Sequence, residues 1–136
     1  MPRFSERSEA RLRTCHPDLQ AVLRGAIERV DFTILCGHRG QEDQEEAFRT
    51  GTSTKRWPHS RHNSRPSEAV DVAPWLGPQI QIDWEDLASF ARLAGYLERV
   101  ADEKGVRLRW GGDWNGNYRT RDERFVDAGH FELVTS

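Results

Sequence analysis

Asp71 constrains this chain more than any other residue. It stands in the middle of Ala69-Val70-Asp71-Val72-Ala73, a short apolar run that reads as a strand and is stopped by Pro74. Aspartate is depleted from strand interiors. A carboxylate taken out of water needs a counter-charge, a set of hydrogen-bond donors or a metal. Nine positions upstream stands His62, in a stretch from 52 to 67 that is rich in Ser, Thr, Arg, Asn and Pro and has no periodicity. A loop of that length inside a compact chain is usually functional or disordered. The same pairing of histidine with carboxylate returns near the C-terminus, in Asp127-Ala128-Gly129-His130-Phe131-Glu132-Leu133. If residues 129–134 form a strand, His130, Glu132 and Val134 share one face. Asp127 then sits just before that strand, within reach of the same site.

Around these two segments the apolar pattern predicts short elements. Residues 5–13 are a helix candidate with Ser5 as N-cap. Residues 17–30 form an amphipathic helix, with Pro17 in its first turn. Phe32 to Cys36 read as a buried strand ended by Gly37, with Cys36 in the core. Residues 41–49 are a polar helix with Ala47 and Phe48 on its packing face. Asp83 is the expected N-cap of a helix to 104, closed by Gly105. Residues 106–110 and 129–134 are strands, separated by a glycine- and charge-rich loop over 111–127. Helices and strands mix without a βαβ repeat, so the expected class is α+β. At 136 residues, one domain over 1–136 is expected.

Composition excludes several functions. Twenty Lys and Arg against 22 Asp and Glu give a net charge of −2, without a dense basic run, which removes the case for nucleic-acid binding. The two cysteines, Cys15 and Cys36, are too few for a disulfide scaffold and match no zinc-knuckle spacing. The N-terminus has no apolar core of a secretory signal, and no run approaches the roughly 18 apolar residues of a membrane span. The expectation is a chain made in the cytoplasm, with no stable membrane association.

Zinc binds imidazole and carboxylate, and a catalytic zinc uses three protein ligands plus water. Two neutral histidines and one aspartate leave such a site with residual positive charge, which acidifies the bound water. An unligated carboxylate then serves as general base. His62, Asp71 and His130 can be the ligands and Asp127 the base. The spacing alone is also met by a satisfied loop histidine, an aspartate capping a turn and a surface histidine.

Ser60-Arg61-His62 through Ala69-Val70-Asp71 resembles the S-x-H…A-x-D motif of the M15 peptidases. That family includes VanY-like D-alanyl-D-alanine carboxypeptidases and phage L-alanyl-D-glutamate endopeptidases. Trp110-Gly111-Gly112-Asp113 and Asp127-Ala128-Gly129-His130-Phe131-Glu132 are similar to its W-G-G-D and D-x-x-H-F-E segments. Gly37-His38-Arg39 with Gln44 is similar to its G-x-R…Q segment. The resemblance spans nearly the whole chain and implies a compact α+β fold, a small mainly antiparallel sheet and one zinc per chain. It implies His62, Asp71 and His130 as ligands and Asp127 as catalytic base. The gap between His62 and Asp71 is longer than in many members, which implies a looser loop over 63–68.

Arg39 is expected to hold the developing oxyanion or a substrate carboxylate, since its fork pairs bidentately with carboxylates; the alternative is an ion pair with a nearby glutamate. Ser60 is expected to bond substrate or to cap its loop. Glu132 is expected to orient a ligand or to be an edge-strand charge. His16 reads as a helix start, His38 as strand-end packing or cleft wall, and His59 as loop surface. Trp110 and Trp114 are candidates for lining a substrate groove. The expected substrate is the peptidoglycan stem peptide. The expected protein is a monomeric phage or prophage endolysin that reaches the wall through a holin pore. The alternatives are a D-alanyl-D-alanine carboxypeptidase and a non-catalytic zinc-containing wall-binding module.

Overall fold

A computed structural model describes residues 2–123 and 125–134. In chain order it contains α1 (Glu6–Leu12), α2 (Pro17–Ile27), β1 (Phe32–Cys36), α3 (Gln41–Arg49), a single 3-10 turn (Arg61–Asn63), β2 (Ala69–Pro74), α4 (Leu87–Lys104), β3 (Leu108–Trp110) and β4 (His130–Leu133). The strands form one sheet in the order β1-β2-β4-β3, and every pairing is antiparallel. The α+β expectation holds, and so does the order of elements.

Strand parity divides the sheet. Phe32, Ile34, Val70, Val72, Phe131, Leu133 and Trp110 join one buried cluster with Leu19, Val22 and Leu23 of α2 and Phe90, Leu93 and Leu97 of α4. The helices pack on that face because their own apolar residues recur at helical spacing. Asp71, His130, Glu132 and Arg109 occupy the alternate positions and turn to the other face.

Four local expectations need correction. Helix α2 stops at Ile27, where the Arg29 and Val30 amides both return to the Ala26 carbonyl. Helix α4 begins at Leu87 and is capped by Asp86, whose carboxylate accepts from the Ser89 amide at 3.2 Å and the Ser89 hydroxyl at 2.6 Å. Asp83 instead accepts from the Glu85 amide in the preceding turn. Helix α3 buries Gln44, while Phe48 is left exposed, because the helix packs on a polar hub and not on the core. Cys36 is only half-buried: a register shift between Ile34 and Cys36 turns it out of the alternation and sets it opposite Asp71.

A candidate metal centre at the floor of a groove

The register of the central strands builds the site. Asp71 of β2 lies directly opposite His130 of β4, and Glu132 lies opposite Arg109 of β3. Asp71 and His130 therefore meet by cross-strand pairing alone. His62 arrives from the 3-10 turn. The Ser60 hydroxyl oxygen accepts from the His62 amide at 3.2 Å, and Asn63 Oδ1 accepts from the Ser60 amide at 3.0 Å, which closes a reciprocal cap. Ser60 thus caps its turn and also lines the groove.

The loop that carries His62 is tied down. Asn63 Nδ2 donates to the Arg39 carbonyl at 3.0 Å and to Gln44 Oε1 at 3.1 Å. The fully buried Gln44 donates in turn to the Lys55 carbonyl at 2.6 Å. Beyond His62, Ser64 Oγ accepts from the Glu68 amide and donates to the Arg61 carbonyl, and buried Ser67 Oγ donates to the Ala69 carbonyl. The expected looseness over 63–68 is not found; side-chain hydroxyls take up the extra length.

Hydrogen bonds fix which nitrogen each imidazole offers. His62 Nδ1 donates to the Gly37 carbonyl at 2.8 Å, so Nε2 faces Asp71 Oδ1 at 3.2 Å. His130 Nε2 donates to Glu132 Oε1 at 2.8 Å, so Nδ1 faces the same Asp71 oxygen at 3.2 Å. Two ring nitrogens thus converge on one carboxylate oxygen, each ring held from behind by an acceptor. This is the donor set and outer support that zinc takes in proteins, so the residues fit the metal the motifs imply. Glu132 Oε2 is itself held by Arg61 Nε at 2.9 Å and approached by Arg109 at 3.5 Å, and Arg61 also reaches Glu68 at 3.3 Å. Cys36 offers its sulfur 3.9 Å from His62 Nδ1, at the ring's other nitrogen. Cys36, His62 and Asp71 form one possible metal-binding group, and Asp71, Asp127 and His130 form another.

The electrostatics follow from these contacts. Burial by itself would lower the His62 pKa, but the bond to Asp71, helped by Cys36, outweighs it and raises the value to about 10. His130 is raised against its burial by Asp71 and Glu132. Burial would raise Asp71, but hydrogen bonds from His130 and His62 hold it well below the usual carboxylate range. Asp127 goes the other way: burial, then the charge of Asp71, pushes it up against the pull of His130, His62 and Arg39. Two carboxylates side by side therefore differ in proton affinity.

The Trp110-Gly111-Gly112 segment explains where Asp127 stands. The Asp127 amide donates to the Gly111 carbonyl, and the Gly111 amide donates to the His130 carbonyl, both at 2.8 Å. A β-carbon at Gly111 would fall on the Asp127 carbonyl oxygen, so only glycine lets the two backbones approach. Trp110 is core, its indole donating to the Ala128 carbonyl at 2.7 Å, while Trp114 lies tilted by 40° against His130 at 5.5 Å and lines the groove.

Arg39, Ser60, His62, Asp71, Asp127 and His130 all line one groove of about 830 Å³. Arg39 pairs with Asp71 Oδ2 at 3.3 Å and with Gln44 Oε1 at 3.1 Å, and not with a glutamate. His59 is exposed as expected, yet on the groove wall. His16 caps α2, accepting from the Asp18 amide, and His38 packs against the Ser64 carbonyl. Sequence reasoning passed over Arg61, Gln44 and Asn63 as structural ties. The Ser60-to-Asn63 spacing of a cap was the signal available for the last.

Two imidazoles and two unlike carboxylates gather at the floor of an open groove, where they form possible metal-binding groups. The sequence matches the family described as phage L-alanyl-D-glutamate peptidase over residues 1–134. It is 37% identical over 137 residues to the L-alanyl-D-glutamate peptidase of Escherichia phage T5, covering 97% of this chain and 98% of that protein. The crystal structure of the L-Ala D-Glu endopeptidase ChiX of Serratia marcescens matches with a TM-score of 0.74 at 34% identity, covering 96% of this chain and 89% of that one. The chain belongs to the phage L-alanyl-D-glutamate peptidase family, and it is a peptidase.

Proposed function

We propose that this chain is a zinc-dependent endopeptidase that cuts the L-alanyl–D-glutamate bond of peptidoglycan stem peptides, with His62, Asp71 and His130 holding one zinc and Asp127 as general base. The observation that carries the metal is the convergence of His62 Nε2 and His130 Nδ1 on Asp71 Oδ1, each at 3.2 Å. Family membership carries the bond, and it favours the endopeptidase over the carboxypeptidase reading. A zinc held by these residues would supply Lewis acidity and would acidify a water in the groove. Asp127, its pKa raised by burial and by Asp71, takes the proton from that water and passes it to the leaving amine. Arg39 presents its guanidinium to the groove for the oxyanion or a substrate carboxylate. Ser60, whose oxygen caps the turn, keeps its hydroxyl hydrogen for a substrate acceptor.

The biological role that suits this activity is that of a phage or prophage endolysin, monomeric and reaching the wall through a holin pore. Among the described residues no helix is long and apolar enough to cross a membrane. The test is digestion of purified peptidoglycan, with and without a chelator, read by mass spectrometry. Chelator-sensitive release of stem peptides beginning at D-glutamate is expected. Loss of a single terminal alanine would make the enzyme a carboxypeptidase. No product from a zinc-loaded protein would leave a wall-binding module.

A further inference from the structure

The two flanks of the groove differ in chemistry. Arg39 follows β1 at one edge of the sheet. Lys55 belongs to the same flank, because Gln44 bonds both the Arg39 guanidinium and the Lys55 carbonyl. Among the described residues Lys55 has no carboxylate at ion-pair distance, although Glu45 and Glu46 nearby are paired with Arg56 and Arg49. Away from that flank the lining is aromatic, with Trp114 beside His130, Trp84 beside Gly129, and Phe125. The charges beside it are the carboxylates of Asp127 and Glu132 and the guanidinium groups of Arg61 and Arg109, which lie 2.9 and 3.5 Å from Glu132.

Trp84 is a fixed ring with one open side. It stacks on buried Phe90 at 5.5 Å and 20°, yet remains 57% exposed. A β-carbon at Gly129 would stand 3.5 Å from this indole, so the ring abuts the residue just before His130.

A wall stem peptide is just as lopsided. Before the scissile bond lie one alanine and, through a lactyl ether, a neutral amino sugar. After it lies γ-linked glutamate with a free carboxylate, followed by further carboxylates. We propose that the groove reads this polarity: the carboxylate-bearing arm lies on the Arg39–Lys55 flank, and the sugar ring stacks on Trp84. One residue and a lactyl unit place the sugar roughly 7 Å from the scissile carbonyl, and Trp84 abuts Gly129, the residue next to His130. Pyranose C–H groups and an indole face suit each other as an apolar stack with polar edges left to water.

This inference rests on the proposed bond specificity, and the experiment separates the two. The zinc-loaded enzyme is given two substrates of the same stem peptide, one bearing the N-acetylmuramoyl sugar and one with a free alanine terminus. Cleavage of the sugar-free peptide by the wild type after L-alanine tests the bond on its own. The ratio of kcat/KM between the two substrates tests the sugar site, and a ratio does not depend on the fraction of folded enzyme. W84A is expected to lower that ratio about fivefold, the size of one aromatic contact, and W84F to restore most of it. A ratio in W84A within twofold of the wild type would overturn the sugar site.

Discussion

On β4, Phe131 and Leu133 turn toward helices α2 and α4, while His130 and Glu132 turn toward the groove. The four are almost equally hidden, at 1%, 7%, 8% and 9% exposure. Phe131 and Leu133 are held by the area they remove from water and by close packing. His130 and Glu132 are held by particular partners: Asp71, Arg61 and the backing carboxylate. On the first face a substitution should cost stability in proportion to lost volume. On the second it should cost whatever the unpaired neighbour then suffers, and it should act on metal before fold.

The largest effect is expected at the proposed ligands. H62A and H130A should lose zinc and fall to background in the release of stem peptides, while circular dichroism still reports the folded sheet. Retention of one zinc per chain with full turnover in either variant would mean the ligand set is wrong. Next comes the opposite face of the same strand. F131A should cost about 3–5 kcal/mol in a denaturant titration, with the metal site failing only as the protein unfolds. A loss under about 1 kcal/mol would show that the helices do not depend on this ring. E132A belongs between the two behaviours. It should leave the fold nearly intact but weaken zinc binding about 10- to 100-fold in chelator competition. E132Q, whose amide oxygen can still accept from His130 Nε2, should recover part of it. Equal affinities in E132A and wild type would reduce Glu132 to an edge-strand charge.

The sequence exposes the two faces unequally. The apolar face was readable because its residues recur at period two in β2 and β4 and at helical spacing in α2 and α4. Asp71 was readable as a carboxylate breaking an apolar strand, and His130 as the second pairing of a histidine with nearby carboxylates. What could not be read depends on closures between distant segments. Cys36 counts as core by alternation, and only the irregularity against β2 turns it toward His62. Arg61 gives no sign that it reaches across to Glu132, seventy-one positions away. Gln44 looks like one polar helix residue among many until Arg39, Asn63 and Lys55 gather on it. Asp83 is the cap the sequence suggests, but Asp86 takes that place because Ser89 bonds it through both amide and hydroxyl.

The smallest effect sharpens the contrast from the helix side. Among the described residues, Glu98 of α4 makes no ion pair, unlike Asp71 and Glu132 of the groove. Its pKa is raised above the ordinary 4.5, first by burial and then by the charges of Asp113 and Asp102. A raised acid pKa means that the folded state holds the proton more tightly than the unfolded chain. Its contribution to stability is then fully present below about pH 4.5 and is lost as pH rises through the folded value. E98Q keeps the shape and removes the charge. It should raise the thermal midpoint at pH 7 by a few degrees at most and leave it unchanged near pH 4. An equal shift at both pH values would trace the effect to packing. A lower midpoint at pH 7 would mean that the carboxylate has a favourable partner, and that the helix side too holds its charges by pairing.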